Sequence, residues 1–329
     1  MALASGQTDK QPPESPPGSP AINQAQALLL AGKADAAIEA LKAIPRSGTA
    51  DPRIDHLLGL AYYQKGDYLR AIESLSVSIR QSKEGSPQYR QSIHLTGMSY
   101  YFLRNSKEAI PFLEKAALWA GDNVETIYVL GACYAQTHQS DKARETYSRL
   151  FGVEAGSASA YLFNAQMMIR LRLEELAEKE LQKALEIDSK LPQASFLLGE
   201  IAIYRADIDL GIKHLQKEIT LNPAFAMAYY RLGEAYTRQV KWDEALAPLQ
   251  KSIWLNPYFS GPYIVLGKVY LKKGDLTNAE SILRRALRMD PNNYSGHHLL
   301  AQVLQQSGRL EEAKREFDIA ERLRSEADK

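Results

Sequence analysis

The side chains able to carry chemistry are few and scattered. One cysteine, Cys133, excludes an intrachain disulfide and any zinc cage built from cysteines. As a nucleophile Cys133 would need exposure and a neighbouring base. The sequence places no base beside it, so a buried structural cysteine is expected. The six histidines are His56, His94, His138, His214, His297 and His298. Only the last two are adjacent, and neighbours on a helix point about 100° apart, so they do not chelate one ion easily. Glu174-Glu175 and Glu311-Glu312 are successive residues, not carboxylates facing each other across a substrate. Glu218 stands where an acid would have a raised pKa if buried. The reading preferred here is a partly open position, or pairing with His214 or Lys251. No phosphate-cradling GxxxxGK[ST], dinucleotide GxGxxG, HExxH or GxSxG pattern occurs. Neither a metal nor a cofactor is expected.

The bulk properties narrow the classes further. The chain has 329 residues, 45% apolar and 24% charged, with 40 Lys and Arg against 39 Asp and Glu. The net charge of +1 argues against a dedicated nucleic-acid binder, and basic residues do not cluster with aromatics on any one element. No apolar run approaches the roughly 18 residues that cross a bilayer. With so little chemistry in individual residues, the organisation of the chain carries the information.

That organisation is a repeat. The stretch from Gly233 to Pro257, shifted by 34 residues, falls on Gly267 to Pro291 with apolar and small residues superposed. Nine units follow: 18–51, 52–85, 90–123, 124–157, 158–191, 192–225, 226–259, 260–293 and 294–327. Position 8 is Ala25, Gly59, Gly97, Gly131, Ala165, Gly199, Gly233, Gly267 and Ala301. Position 20 is Ala in every unit except the sixth, which has Gly211; position 24 is large throughout, from Leu41 to Phe317. Two helices approach closely only where one side chain is small and a large neighbour fills the adjacent hole. Positions 4, 8 and 11 therefore share one face of a first helix, and 20, 24 and 27 one face of a second. Glycines near position 15 (Gly32, Gly66, Gly274, Gly308) mark the turn between them. Asn222-Pro223, Asn256-Pro257 and Asp290-Pro291 stop the second helix.

Tyr229, Leu232, Gly233, Tyr236, Ala245, Leu249 and Pro257, and again Tyr263, Leu266, Gly267, Tyr270, Ala279, Leu283, Ala286 and Pro291, resemble the tetratricopeptide repeat. The fifth unit departs from the pattern with Asn164 and Met168, the sixth with Glu218, and no unit has Trp at position 4. The resemblance implies an all-α fold, a right-handed α-solenoid of stacked antiparallel helix pairs with a concave inner surface. It also implies that first-helix positions 2, 5, 9, 12 and 13 line a groove for partner segments. Two zones result. His56, Tyr63, His94, Met98, Tyr101, Phe102 and Tyr128 form an aromatic strip. Phe196, Glu200, Tyr204, Tyr230, Glu234, Arg238, Lys268 and Lys272 form a strip with both charge signs. Many of these aromatics have an alternative role, packing between adjacent first helices. The family's carboxylate clamp is missing, because positions 5 and 9 pair as His56/Leu60, His94/Met98 or Tyr230/Glu234. The asparagine ladder of its sugar-transferase relatives is missing too, since the sixth positions after Asn23 are mostly apolar.

The expected function is a non-catalytic scaffold that binds an extended or helical segment of another protein. One alternative is a helical-hairpin carbohydrate-binding or carbohydrate-active protein, with Glu200 and Glu234 as its acids; another is self-assembly into a homo-oligomer through the array ends. The nine units leave 17 residues before them and two after, so any activity is expected on the array itself. Residues 1–17, rich in Pro and Ser, are expected to be disordered. Four extra residues near 82–89 read as a loop insertion, and the charged stretch from Glu311 onward as a polar cap. A cytoplasmic location is the default expectation; export is the alternative, suggested by the Ala-x-Ala-like step at Ala2-Leu3-Ala4.

Overall fold

The computed structural model describes residues 20–45, 51–119 and 123–327. The proline- and serine-rich residues 1–17 lie outside them. Among the described residues the chain forms eighteen α-helices and no strand. The helices fall into two compact groups, divided after Gly152. The first holds α1 (Pro20–Leu30), α2 (Ala34–Lys42), α3 (Pro52–Gln64), α4 (Tyr68–Gln81), α5 (Pro87–Phe102), α6 (Ser106–Trp119), α7 (Val124–Gln136) and α8 (Ser140–Phe151). The second holds α9 (Ala158–Arg170), α10 (Glu174–Ile187), α11 (Ala194–Tyr204), α12 (Ile208–Leu221), α13 (Ala226–Arg238), α14 (Trp242–Leu255), α15 (Ser260–Lys272), α16 (Leu276–Met289), α17 (Tyr294–Gln306) and α18 (Leu310–Ala327).

Each first helix packs on the second helix of its own repeat, and each second helix on the next first helix within its group. The period-34 pattern explains the closeness. A Cβ placed on Gly267 would lie 2.5 Å from Leu283 Cγ, and one on Gly59 the same distance from Leu75 Cγ. The position-24 side chain fills the space that the position-8 glycine leaves open. Leu41, Leu75, Leu113, Tyr147, Leu181, Leu215, Leu249 and Leu283 are all fully or almost fully buried.

Position 15 adopts a left-handed backbone in every repeat. Gly32, Gly66, Gly274 and Gly308 do so with φ between 70° and 78°, as their glycines predict. Arg104, His138, Arg172, Ala206 and Val240 do so with φ between 59° and 65° without that freedom. In each repeat the amide of position 16 bonds back to the carbonyl of position 11, as Lys33 does to Leu28 and Lys241 to Tyr236. Such a closure satisfies the orphan carbonyls of the first helix and outweighs the local cost of a side chain in this conformation. Asp67, Asp207 and Asp275 at position 16 then cap the second helix by accepting the amides of Arg70, Leu210 and Asn278.

Between α4 and α5 the connection is residues 82–86, and α5 begins at Pro87, capped by Ser86. Part of the extra length there therefore enters a longer helix. α18 exposes Glu311, Glu312, Lys314, Arg315, Asp318, Glu321, Arg322 and Arg324 to solvent.

Candidate functional site

In residues 153–327 the inner positions converge on an open cavity of about 360 Å³ between α9, α11 and α13. Ile169, Ile201 and Ile203 supply its apolar lining. Tyr204, 66% exposed, stands at its edge with the Arg172 guanidinium 5.9 Å from its ring centroid. At its centre lies Arg231. Its Nε is 2.7 Å from Glu200 Oε1 on the preceding first helix, and its Nη1 donates to Glu234 Oε2 at 2.9 Å on its own helix. Arg238 donates from Nη2 to the other Glu234 oxygen at 3.3 Å. Burial alone would lower the Arg231 pKa, but the bond it donates to Glu234 and the charges of Glu200 and Glu234 outweigh burial and raise it. Glu200 and Glu234, the two acids of this zone, are thus held by one guanidinium.

Arg231 is absent from the groove positions 2, 5, 9, 12 and 13. The signal was nonetheless in the sequence. After Asn23 in the first unit, position 6 is Leu57, Leu95, Val129, Phe163, Leu197, Val265 and Leu299 in the other units, so an arginine in the seventh breaks an apolar column. The remaining residues of this zone divide by role. Phe196 is buried and packs edge-on against Phe225 at 5.0 Å; Tyr230 packs the same way against Phe259 at 5.1 Å. These two follow the alternative role of packing between elements. Lys272 is exposed, and Lys268 lines a second cavity of about 760 Å³ with Tyr294, His298, Phe317 and Arg324.

In residues 20–152 the aromatic strip splits in the same way. Met98 is only 1% exposed and belongs to the core, not to a binding surface. Its position-9 direction is covered by the neighbouring helices. His56 is also buried. Its Nδ1 lies 2.9 Å from Ser92 Oγ and its Nε2 3.1 Å from Gln91 Oε1, so it joins α3 to α5. Burial lowers its pKa, the bond to Gln91 partly opposing this. His94 is half-buried, with Nδ1 3.1 Å from Thr126 Oγ1, and burial again lowers its pKa. The open part of the strip is a ring cluster. Phe102, 43% exposed, stacks on Tyr68 at 4.8 Å and meets Tyr63 at 6.1 Å and Tyr101 at 5.7 Å. Tyr128 packs against the buried Tyr147 at 6.2 Å. Burial, with Glu125 and Tyr68 adding to it, pushes Tyr63 up to about 12. Tyr68, on a second helix, falls outside the first-helix groove positions.

Glu218 corrects the reading that it is partly open or paired with His214 or Lys251. It is fully buried, and its carboxylate accepts the backbone amide of Gln193 at 2.9 Å and that of Phe196 at 3.3 Å. Gln193, at φ 70°, provides no side-chain cap for α11. Glu218 therefore caps α11 from the partner helix of the same pair, meeting the helix N-terminus with negative charge. Cys133 is fully buried, and burial pushes its thiol up to about 11, with the Ser106 hydroxyl opposing the shift. Among the described residues no three His, Cys, Asp or Glu side chains gather as metal ligands, and no helix is long and apolar enough to cross a membrane.

A tetratricopeptide-repeat family model matches residues 22–87 and 196–258, and a second matches residues 270–323. A search of curated proteins returns no match. Among solved structures, MamA (residue 41 to its end) from Desulfovibrio magneticus is 21% identical with a TM-score of 0.48, over 52% of this chain and 97% of that one. A chain of the APC/C hetero-tetramer Cut9-Hcn1 is 19% identical with a TM-score of 0.46, over 86% of this chain and 55% of that one. A tetratricopeptide repeat protein from Parabacteroides merdae is 20% identical with a TM-score of 0.41, over 75% of this chain and 96% of that one. With the two family models covering more than half of its residues and the small-small-large pattern realised as packed helix pairs, the chain belongs to the tetratricopeptide repeat family.

Proposed function

We propose that this protein is a non-catalytic interaction scaffold that binds a segment of another protein on the inner faces of its first helices. The observation that carries this reading is the open cavity around Arg231, where apolar residues, an exposed tyrosine and fixed charges of both signs meet. Tyr and Arg are favoured interface anchors, because each combines large contact area with directed polar groups. An apolar side chain of the partner enters over Ile169 and Ile203, and its polar neighbours meet Arg172, Arg231 and Arg238. The carbohydrate-active alternative requires one acid free to give a proton and another free to attack or activate water. Glu200 and Glu234 sharing Arg231 speaks for binding instead.

The test is affinity capture with the intact chain, compared with the Tyr204→Ala/Arg231→Ala variant and with the Tyr101→Ala/Phe102→Ala/Tyr128→Ala variant. Loss of a captured protein by the first variant, with unchanged helical content, supports the Arg231 zone. Retention by the first and loss by the second moves the site to the aromatic strip. Retention by both removes the groove reading.

A further inference from the structure

We propose that one edge of the group formed by residues 153–327, where α12, α14 and α16 end, docks on the surface of an anionic lipid bilayer at the level of its headgroups. This edge stands apart from the Arg231 cavity, which lies on the first helices.

The edge follows from the repeat. The second helices of this group all run in the same sense, so their C-terminal turns come to one side. Position 26 is Lys217 in α12, Lys251 in α14 and Arg285 in α16, and position 29 of α16 adds Arg288. Among the described residues none of these four joins an ion pair. The acids of the same helices are engaged or lie elsewhere. Asp209, Asp243 and Glu244 belong to the first turns, at the opposite end. Glu280 is taken by Arg284 and Arg309, and Glu218 is buried against the start of α11. Asp290, just after α16, is on this edge, and its carboxylate accepts the Asn293 side-chain amide at 2.9 Å. The charges come from three helices, so no single element of the sequence shows the cluster.

A helix dipole favours basic residues in the last turn and by itself accounts for the charges. It does not account for the rings among them. Trp254, at position 29 of α14, is 71% exposed, and Tyr258, at position 33 in the turn that follows, is 88% exposed. The neighbouring repeats have Thr220 and Arg288 at the first of these positions, and Ala224 and Asn292 at the second. The repeat fold therefore does not need a large apolar side chain at either place. Lys251 Nζ lies 3.9 Å from the Trp254 ring centroid, so charge and ring are presented as one unit.

This combination fits a bilayer surface. Trp and Tyr settle at headgroup level, where the ring meets hydrocarbon and its N–H or O–H meets water. Lys and Arg add attraction to anionic lipids. A single-stranded nucleic acid would meet the same charges, but it uses open aromatic faces as stacking platforms inside a basic groove. Here Lys251 occupies a face of Trp254, and both rings stand at helix ends rather than along a groove.

Two measurements on the full chain test this. In the first, the protein is sedimented at low salt with vesicles of equimolar phosphatidylserine and phosphatidylcholine, or of phosphatidylcholine alone. Binding to the anionic vesicles only is expected. Lys217→Gln/Lys251→Gln/Arg288→Gln weakens it by about a hundredfold, since each charge lost near such a surface costs about fivefold. In the second, the acyl chains carry bromine, which quenches tryptophan emission only at close range. Quenching is expected in the wild type and is lost in Trp254→Phe, which keeps a ring and still binds; electrostatic adsorption alone gives no quenching in either. Circular dichroism checks that the variants stay helical. No binding to the anionic vesicles, or equal binding by the triple variant, would overturn the proposal. Quenching absent from the wild type, or persisting in Trp254→Phe, would overturn it too, because the contact would then lie outside this edge or above the hydrocarbon. Tighter binding of an oligothymidine than of the vesicles, lost in the triple variant, would overturn it in favour of single-stranded nucleic acid.

Discussion

Removing the Glu218 carboxylate is expected to be among the more damaging single changes in residues 153–327. The side chain is fully buried, and both of its oxygens hold backbone amides at the start of α11, one from Gln193 and one from Phe196. Ser or Thr at a helix start normally performs this task together with an acid three residues on. Here one acid from α12 does both jobs. Replacement by alanine leaves the buried Phe196 amide and the part-buried Gln193 amide without acceptors, a buried donor costing about 1–3 kcal/mol and a partly buried one less. The small side chain itself is tolerated at this position, since Ala184 and Ala286 occupy the equivalent place in other repeats. The expected loss is therefore about 3 kcal/mol, or a fall in Tm of about 6–12 °C for a group of this size. Glu218→Met separates the causes: it restores volume but accepts no hydrogen bond, and should lose nearly as much as Glu218→Ala. Glu218→Gln keeps one acceptor and should fall between them and the wild type. Denaturant unfolding followed by circular dichroism at 222 nm measures all three. A Glu218→Met variant within about 0.5 kcal/mol of the wild type, the ordinary spread for surface changes, would refute the capping argument.

Other consequences are as direct. Val240 holds a left-handed φ of 62° without glycine's freedom, so Val240→Gly should stabilise the protein by about 1 kcal/mol once glycine's greater unfolded-state entropy is deducted. An unchanged or lowered unfolding midpoint would count against strain at that turn. His56, His94 and His214 have pKa values lowered first by burial. As pH falls, the unfolded chain therefore takes up protons first. Their contribution is complete above the ordinary histidine value of 6.5 and is lost as pH drops through it toward the folded values. Urea midpoints should be lower at pH 5.5 than at 7.5, and His56→Gln should flatten that slope; an equal slope in the variant would exclude His56 as a contributor. The Cys133 thiol, buried and pushed up to about 11, should resist a disulfide-exchange reagent at pH 8 until the protein unfolds. Reaction at the rate of a free thiol would show an opening that the packing around α7 does not provide.

What the sequence alone determined was the architecture. Small residues at positions 8 and 20 and a large one at 24 specify how two helices pair, and their spacing of 34 specifies the repeat. These are contacts between neighbours along the chain, so one-dimensional periodicity carries them. The turn at position 15 was half legible: four glycines announced it, while Arg104, His138, Arg172, Ala206 and Val240 adopt the same φ because the helix closure around them imposes it. Which inner side chains stay free was decided by the tertiary structure. Met98 and His56 occupy groove positions by number yet are buried, and Arg231 lies outside those positions yet binds both groove acids. Glu218 read from the sequence as partly open or paired with His214 or Lys251, whereas the start of α11 rests against it. These outcomes depend on side-chain reach between residues 3 to 36 apart, where a change of an ångström decides whether a charge is paired, and no periodic pattern encodes distances on that scale.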